Sequence, residues 1–259
     1  MKSYVISLNN AIDRRQHICN ELDGLDFDFF DAVTPDQAEQ IANVIGFSFA
    51  ACLNLSPAEK ACFASHVCLW QKMLDENIPF MAIFEDDIYL GDDAKQLLKH
   101  DDWVSDLIGQ QSCDAIKLET FMDKVHLGKG INLATTYRRL HRLKSMHSGS
   151  GGYVLSNKGA GILLDLIKQS VDNGYDSIDH FLFDQYLRKL TIYQINPALC
   201  IQSQWLEDKV GFTSVIEGSR QDYGRQKSKS TFQQVARRLV KKWYRSFGKR
   251  TFFKIIHYK

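Results

Sequence analysis

The sequence predicts an α/β fold in which a mostly parallel sheet is covered by helices on both faces. Apolar runs of strand length alternate along the chain with longer segments whose apolar residues recur at helical spacing, and this alternation is typical of parallel sheets. The run Phe80–Ile88 supports the prediction, because its first half is apolar enough for a buried strand. Ligands of such sheets bind beyond the carboxyl ends of the strands, so we expect a binding site at Glu85, Asp86 and Asp87.

The individual elements follow from local signals. The clearest is a helix start, where Ser56 is the expected N-cap, Pro57 lies in the first turn and Glu59 stands three residues after the cap, which is the pattern of a capping box. This helix is predicted to run to about Asp75. The other predicted elements are strands at Tyr4–Leu8, Asp26–Asp31, Ala115–Leu118, Tyr153–Leu155 and Thr191–Ile195, and helices at Ile12–Leu22, Lys158–Ser170 and Ser177–Leu190.

The three consecutive carboxylates at the end of the central apolar run indicate a cation site. Removing one carboxylate from water costs several kcal/mol or forces the group to protonate. In an extended segment Glu85 and Asp87 point to one side and Asp86 to the other. A hard divalent cation accepts such ligands and completes its shell with water and the phosphates of a substrate, which is the chemistry of a nucleotide-sugar site. The alternative is a solvated acidic turn.

Length and composition indicate a folded enzyme. A chain of 259 residues with 44% hydrophobic and 24% charged content can bury a large core as one domain, with or without an appendage. The six cysteines form no CxxC pair, and Met1 leads directly into a strand without the pattern of a signal peptide. We therefore expect reduced thiols in a cytoplasmic protein. No apolar run approaches the ~20 residues that cross a bilayer.

The C-terminal segment 220–259 differs in charge from the rest of the chain. It contains 13 Lys and Arg against one acid, although the whole chain carries a net charge of only +1. Its apolar positions recur at helical spacing, opposite a basic face. The apolar set is Phe232, Val235, Ala236, Leu239, Val240, Trp243, Tyr244 and Phe247, and the basic set is Arg237, Arg238, Lys241, Lys242 and Arg245.

This pattern predicts two units, a domain at 1–219 and a membrane-associating segment at 220–259. An amphipathic helix with aromatic residues and a basic face is typical of a segment that lies on an anionic membrane surface. Two alternatives remain open. The helix could pack on its own domain with a solvated basic face, or it could bind nucleic acid, although no recognition motif supports nucleic-acid binding.

Several segments carry a family resemblance when taken together and in order. They are Tyr4–Leu8 followed by Arg14 and Arg15, Leu55–Glu59 with Cys62, Ser65 and His66, Phe84–Asp87, and Gly151–Ser156. This set resembles glycosyltransferase family 25, which includes bacterial lipooligosaccharide galactosyltransferases. One departure is Ala58, where the family more often has Gly, but Ala is acceptable at a helix start. The resemblance implies a GT-A-like, Rossmann-type nucleotide-sugar-binding domain, a UDP-sugar donor, a divalent metal and transfer with inversion at the anomeric carbon.

The resemblance assigns roles to the acids. Asp87 is the first choice for a direct ligand of Mn²⁺ or Mg²⁺, with Glu85 as a second ligand, and Glu85 or Asp86 is expected to reach the donor ribose or a metal-bound water. Inverting transfer also needs a base for the acceptor hydroxyl. Asp179 matches the late acid of the family and is the first candidate, with Asp184 second. The alternative for Asp179 is an acid favoured by the helix dipole in a first turn.

The donor pocket is expected to draw on several other segments. Ser7 and Leu8 end the first strand, and either Arg14 or Arg15 is expected to contact a phosphate or the base, while a solvated helix face explains the other. The remaining predicted residues are Ser65, His66, Gly151 and Gly152 for the donor, and His141 and His147 as further metal ligands. The glycines lack side chains that would keep the backbone away from the sugars, and their loop has the wrong spacing for a P-loop. A structural role is the alternative for His66.

The predicted function is transfer of a hexose from a UDP-hexose to a lipid-linked oligosaccharide of lipooligosaccharide or lipopolysaccharide. The family resemblance makes galactose, transferred in β linkage, the first choice for the sugar. Glucose as the donor sugar is the alternative within the family, because epimers differ by one hydroxyl. The expected location is the inner face of a bacterial inner membrane, bound peripherally through segment 220–259, without a nucleic-acid partner. Other classes left open are a metal-dependent phosphoester hydrolase, a membrane-associated scaffold and an inactive member of the family.

Overall fold

An eight-stranded sheet organises the protein. The structure is a computed structural model that describes residues 1–110, 113–133, 136–172, 174–206, 211–212, 218–219 and 232–259, without the side chains of 109, 110, 232–239 and 241. The strands are β1 Lys2–Ser7, β2 Asp28–Asp31, β3 Phe80–Glu85, β4 Ile88–Leu90, β5 Ala115–Lys117, β6 Lys124–Val125, β7 Leu127–Asn132, β8 Arg139–Leu143, β9 Gly152–Ser156, β10 Ile192–Asn196, β11 Cys200–Gln202 and β12 Lys254–Ile255. The large sheet has the order β2-β1-β3-β9-β5-β10-β8-β7.

The sheet is mixed, which corrects the prediction of a mostly parallel one. The pairs β1–β2, β1–β3 and β5–β10 are parallel. Strand β9 runs antiparallel between β3 and β5, and β8 and β7 add an antiparallel edge. Because a strand buried on both faces has the same apolar composition in either direction, the sequence pattern could not distinguish these arrangements.

Helices cover both faces of the sheet. They are α1 Ile12–Glu21, α2 Ala38–Ile45, α3 Pro57–Asp75, α4 Ala94–Lys99, α5 Asp102–Gln110, α6 Asn157–Gln169, α7 Ile178–His180 and α8 Phe232–Thr251, with a π-helical turn at Phe181–Gln185 and a 3₁₀ turn at Ser203–Trp205. The capping box of α3 is confirmed: Glu59 N donates to Ser56 Oγ at 3.3 Å, and Ser56 N donates to Glu59 Oε2 at 2.8 Å. The predicted helix Ser177–Leu190 is shorter than expected, because regular helix ends at the π-helical turn.

Strand β3 lies between two hydrophobic clusters. Met81 and Ile83 pack into the cluster that contains α3 and α6, whereas Ala82 and Phe84 pack into the cluster that contains α1, α4 and α5. All four side chains are fully buried. The alternation confirms the predicted central strand, and it fixes the direction in which the acids after Phe84 emerge from the sheet.

The end of the chain is built into the body of the protein. Strand β12 pairs antiparallel with β6, Ile256 is fully buried, and its carbonyl accepts from Thr120 Oγ1 at 2.7 Å. Ala198 N donates to His257 O at 2.8 Å. The last residues of the predicted segment 220–259 therefore do not form a separate unit. Residues 220–231, next to the predicted boundary, lie outside the described residues.

Arg138 ties this C-terminal strand to the body. Its guanidinium is fully buried and pairs with Asp93. It also donates to the carbonyls of Pro197 at 2.9 Å, Ala198 at 2.7 Å and Lys259 at 2.5 Å. One buried cation thus provides hydrogen-bond donors for a carboxylate at Asp93, for the carbonyls of Pro197 and Ala198, and for that of Lys259 at the end of the described chain. A buried charge with this many partners is costly to remove, because its partners are left unsatisfied.

Replacing Arg138 with Ala should lower the free energy of unfolding by about 3–5 kcal/mol, because Asp93 and three carbonyls lose their shared partner. Urea denaturation followed by circular dichroism measures the change. Arg139→Ala is the matched control, since Arg139 is the next residue and is exposed, and it should change stability by less than about 0.5 kcal/mol. Equal effects of the two substitutions would contradict a stabilising role for the buried guanidinium.

Candidate active site

The candidate site lies at one edge of the sheet, where β1 and β3 end and β9 begins. Ile6 pairs with Glu85, and Phe84 pairs with Gly152. Because β9 is antiparallel to β3, the loop before β9 reaches the same edge as the carboxyl ends of β1 and β3. Topology therefore brings Ser7, the three acids and the Gly-rich loop together.

Glu85 is held by polar groups from three other segments. Ser150 Oγ donates to Glu85 Oε1 at 2.7 Å, and Gln202 Nε2 donates to Glu85 Oε2 at 3.2 Å. The ring of His66 on α3 lies with Nε2 3.5 Å from Glu85 Oε1. Burial raises the pKa of Glu85, but His66 and Ser150 favour its charged form enough to leave that pKa below its ordinary value.

Asp86 and Asp87 share one cation. Arg14 Nε lies 3.0 Å from Asp86 Oδ1, and Arg14 Nη2 lies 2.9 Å from Asp87 Oδ2. The guanidinium also lies over the ring of Phe212, at 5.5 Å from its centroid. Arg14 is therefore the member of the predicted arginine pair that faces the acids.

Asp87 is the acid whose charge is least compensated. Burial and the charge of Glu85 together raise the pKa of Asp87 to about 7, against the opposing effect of Arg14. Burial likewise raises the pKa of Asp86. The cluster thus has more negative charge than its described cations neutralise, and an added cation would relieve this excess.

The structure places the second arginine elsewhere. Arg15 Nε donates to Leu8 O and Arg15 Nη2 to Ser7 O, each at 3.1 Å, and the guanidinium pairs with Asp31. These contacts fix the end of β1 against α1. Ser65 also bonds only with backbone among the described residues, since its hydroxyl accepts from Val33 N and donates to Ala61 O.

A buried ion pair that the sequence analysis missed lies behind the Gly-rich loop. Lys117 and Glu119 are fully buried, with Lys117 Nζ 3.2 Å from Glu119 Oε2. Gly151 N donates to the same oxygen at 2.8 Å, and Lys117 also bonds to the carbonyl of Gly149. Burial raises the pKa of Glu119 to about 8 even though Lys117 opposes the shift. The signal was available, since Lys117 and Glu119 follow an apolar strand just as Glu85 does.

The glycines of this loop leave space for protein atoms. A Cβ on Gly149, whose φ is +90°, would lie 2.5 Å from Glu119 Oε2, and a Cβ on Gly151 would lie 2.9 Å from Glu119 Oε1. A side chain at Gly152 would collide with Cys200. The small residues are therefore required by close packing, and the predicted contact of Gly151 and Gly152 with a sugar stays a prediction.

Asp179 reaches the same loop from α7. Its Oδ2 accepts from Gly149 N at 3.2 Å and its Oδ1 accepts from Ser177 Oγ at 2.6 Å. Burial raises the pKa of Asp179, but Ser177 and other neighbours outweigh this effect and lower that pKa overall. The second candidate base, Asp184, is half-buried on the π-helical turn.

Two further side chains were proposed as metal ligands, and the structure does not support them. His147 is buried, with Nδ1 2.7 Å from Gln194 Oε1, and its Nε2 accepts from Phe121 N at 3.4 Å. Both ring nitrogens thus have protein partners. His141 Nδ1 lies 3.0 Å from Gly128 O on the β7–β8 pair. That pair is the far edge of the sheet from β1 and β3.

The donor set of the acid cluster fits a hard divalent cation. Asp87 and Glu85 offer carboxylate oxygens, and the side chain of Gln202 contacts both, with its Nε2 3.2 Å from Asp87 Oδ1. Oxygen ligands of this kind suit Mg²⁺ and Mn²⁺. The uncompensated charge at Asp87 agrees with this fit. Because Arg14 holds one oxygen of Asp87, an ion at this position would share that carboxylate with the guanidinium.

Comparisons with known proteins identify similar sequences. A family model described as glycosyltransferase family 25 (LPS biosynthesis protein) matches residues 1–182. The lacto-N-neotetraose biosynthesis glycosyltransferase LgtE of Neisseria gonorrhoeae is 36% identical over 207 residues, which cover 78% of this chain and 74% of that protein. The lipooligosaccharide biosynthesis protein lic2B of Haemophilus influenzae is 32% identical over 255 residues, 94% of each chain. Among solved structures, mouse xyloside xylosyltransferase 1 in its apo form has a TM-score of 0.43 at 12% identity, covering 75% of this chain and 71% of that chain.

The buried His147 should make stability depend on pH. Burial and the charge of Lys117 lower its pKa to about 3 from an ordinary 6.5, so between these values the unfolded chain binds a proton that the folded protein does not. Stability is therefore complete above pH 6.5 and falls as the pH is lowered. Between pH 4 and 6 the wild type should lose about 1.4 kcal/mol per pH unit more than His147→Gln, as measured by urea denaturation. If the free energy of unfolding depended on pH in the same way in both proteins, the lowered pKa of His147 would be contradicted.

Proposed function

The chain belongs to glycosyltransferase family 25, as predicted from its sequence, and is an enzyme that transfers a sugar; from this premise we propose its donor, acceptor and mechanism. The donor is a UDP-hexose, the acceptor is a lipooligosaccharide or lipopolysaccharide glycan, and transfer inverts the anomeric carbon. The family description refers to LPS biosynthesis, and the name of the Haemophilus influenzae relative lic2B refers to lipooligosaccharide biosynthesis. The domain is proposed to be of GT-A type.

The observation that carries the proposal is the acid cluster beside Arg14 at the edge of the sheet. Arg14 already spans two carboxylates with its guanidinium, and the same donors suit the oxygens of a diphosphate. Asp87 and Glu85 would hold Mn²⁺ or Mg²⁺. Such an ion, when bound, supplies charge neutralisation for the leaving UDP. Ile6 on β1 pairs with Glu85, so the end of β1, where Ser7 lies, borders the same space.

Asp179 is proposed as the base that removes the proton of the acceptor hydroxyl. Its pKa lies below the ordinary value, so the group is a charged carboxylate at neutral pH, which is the form that a general base requires. Gly149 N donates to Asp179, and the next residue, Ser150, donates to Glu85 through its hydroxyl. Adjacent residues of one loop therefore connect the proposed base with the proposed donor site.

The donor sugar is proposed to be galactose, transferred in β linkage. This choice rests on the family resemblance. The contacts that distinguish galactose from glucose are single hydrogen bonds to one hydroxyl. UDP-glucose is therefore the alternative donor for the experiment below.

We also propose that the C-terminal region binds an anionic membrane surface. Helix α8 and the residues after it expose apolar side chains next to basic ones. The apolar set, here called the α8 apolar face, is Val240, Trp243, Phe247, Phe252 and Ile255, and the exposed basic set is Lys242, Arg250 and Lys254. No helix within the described parts of the chain has the length and apolar character needed to cross a bilayer.

The opposite side of α8 faces the protein, which leaves the α8 apolar face directed outwards. Tyr244 contacts His126, Arg245 Nη1 lies 3.3 Å from Met146 Sδ, and Lys249 pairs with Asp123 at 3.7 Å.

The exposed side of α8 carries the aromatic residues. The rings of Trp243 and Phe247 stack with their centroids 5.6 Å apart, and both side chains are at least half exposed. Exposed aromatic residues beside Lys and Arg suit the headgroup region of an anionic bilayer. A location at the inner face of a bacterial inner membrane would place the enzyme beside a lipid-linked acceptor. Several residues of the predicted amphipathic set, including Phe232 and Leu239, have side chains outside the described part.

Transfer to a truncated lipooligosaccharide should require the acid cluster and the base. Asp87→Asn and Asp179→Asn should each lower kcat by about 10²–10⁴-fold, since one removes a proposed metal ligand and the other the proton acceptor. The measurement is release of UDP from UDP-galactose and UDP-glucose, with and without Mn²⁺, and NMR of the product reports the anomeric configuration.

Asp106→Asn is the control for these variants, since Asp106 is an exposed acid on α5, and it should retain wild-type activity. UDP release without acceptor that equals release with acceptor would indicate a phosphoester hydrolase instead. Full activity of either Asp87→Asn or Asp179→Asn would remove that residue from the mechanism.

Binding to vesicles tests the membrane proposal separately. Trp243→Ser combined with Phe247→Ser should weaken binding to vesicles that contain phosphatidylglycerol by at least about tenfold, which corresponds to about 1.4 kcal/mol. Val44→Ser is the control, because Val44 is 81% exposed on α2 and lies outside the α8 apolar face. Equal binding to neutral and anionic vesicles, or no effect of the double substitution, would contradict the proposal.

A further inference from the structure

Three side chains of different chemistry converge beneath the acid cluster. Cys62 and His66 are four residues apart on α3 and therefore lie on the same face of that helix. That face is directed at Glu85 on β3. The Sγ of Cys62, a ring nitrogen of His66 and a carboxylate oxygen of Glu85 all lie within 4.8 Å of one another. The proposed transfer reaction uses neither the thiol nor the imidazole.

Within the part of the chain that the structure describes, one ring nitrogen of His66 has no hydrogen-bond partner. The side chain is fully buried, and its Nε2 is a buried polar atom that makes no hydrogen bond to the described residues. That atom points towards Glu85 Oε1 at 3.5 Å, which is too long for a good hydrogen bond. A buried nitrogen left without a bond costs free energy, so this atom indicates a missing ligand.

The other ring nitrogen of His66 is held in a way that suits metal binding. His66 Nδ1 lies 2.8 Å from Tyr153 Oη, and Trp70 Nε1 donates to the same oxygen at 3.0 Å. The two lone pairs of the Tyr153 oxygen accept both bonds when Nδ1 carries the proton. With a metal ion bound, Nε2 then directs its lone pair at the ion, in place of the proton that it can direct at Glu85 when no ion is present. Metal-binding histidines commonly donate their other N–H to a partner in this way.

The distance between His66 and Glu85 matches a tetrahedral zinc site. Nitrogen and oxygen ligands about 2.05 Å from one ion, separated by the tetrahedral angle, lie about 3.3 Å apart. The distance between His66 Nε2 and Glu85 Oε1 is 3.5 Å. A zinc–sulfur bond of about 2.3 Å brings the third ligand within reach after a small side-chain adjustment. The set of one thiolate, one imidazole and one carboxylate favours a borderline-soft ion such as Zn²⁺ over Mg²⁺ or Mn²⁺.

We propose that Cys62, His66 and Glu85 form a binding site for one thiophilic divalent cation of the Zn²⁺ class, with water as the fourth ligand. Binding forms a metal–sulfur bond and releases the thiol proton to solvent. The site is distinct from the oxygen site at Asp87, although the two share Glu85. This inference goes beyond the proposed function and does not rest on it.

Titration of the full-length protein with Cd²⁺ and Zn²⁺ tests the site without any assay of activity. Cd²⁺ bound to a thiolate gives a charge-transfer absorption that carboxylate ligands do not, and isothermal titration calorimetry gives the stoichiometry for Zn²⁺. The wild type should bind one equivalent of Zn²⁺ and show the Cd²⁺–thiolate band. Cys62→Ser should lose the band and weaken Zn²⁺ binding at least about a hundredfold, because even residues outside the ligand shell cost 10–100-fold.

Two further variants make the test specific. Cys68→Ser is the matched control, since Cys68 is a half-buried thiol on the same helix outside this group, and it should keep both the band and the affinity. His66→Gln should keep the thiol but lower the affinity by at least about tenfold. Absence of saturable binding by the wild type, or a Cd²⁺–thiolate band that survives in Cys62→Ser, would overturn the proposal. Circular dichroism spectra that match the wild type show that each variant is folded.

Discussion

The burial of three consecutive carboxylates at the end of a buried strand is the constraint on which the site depends. Each carboxylate loses water when β3 packs between two hydrophobic clusters, and this loss must be offset locally. The compensating groups come from different segments: Arg14 from α1, His66 from α3, Ser150 from the loop before β9 and Gln202 from β11. The three carboxylates can therefore be buried only when these four segments are in place.

A second layer of charge supports the first. The buried pair of Lys117 and Glu119 bonds to the Gly-rich loop through Gly149 and Gly151, and the same loop donates to Asp179 and Glu85 through its backbone and Ser150. The loop thus links the proposed base to the acid cluster. A side chain in place of Gly149 or Gly151 would collide with the carboxylate of Glu119. Such a substitution would therefore disturb both parts of the site together.

The C-terminal region combines two different surfaces. Its last strand and buried Ile256 belong to the body of the protein, where Arg138 holds the chain end. The α8 apolar face is directed away from that body. A helix anchored at its C-terminal end in this manner can present aromatic and basic residues to a lipid surface without exposing the core. The segment is basic throughout in sequence, yet only part of it is available to a partner.

The sequence by itself determined the elements that depend on local patterns. The capping box of α3, the buried strand β3 and the family-specific segments are visible because each is encoded by neighbouring residues. Only the tertiary structure decided the antiparallel direction of β9, the division of roles between Arg14 and Arg15, and the burial of His147 against Gln194. It also brought together Lys117 with Glu119, and Cys62 and His66 with Glu85. These features depend on which segments meet across the sheet, and contacts between distant residues have no signature in a single sequence because many partners would satisfy the same local pattern.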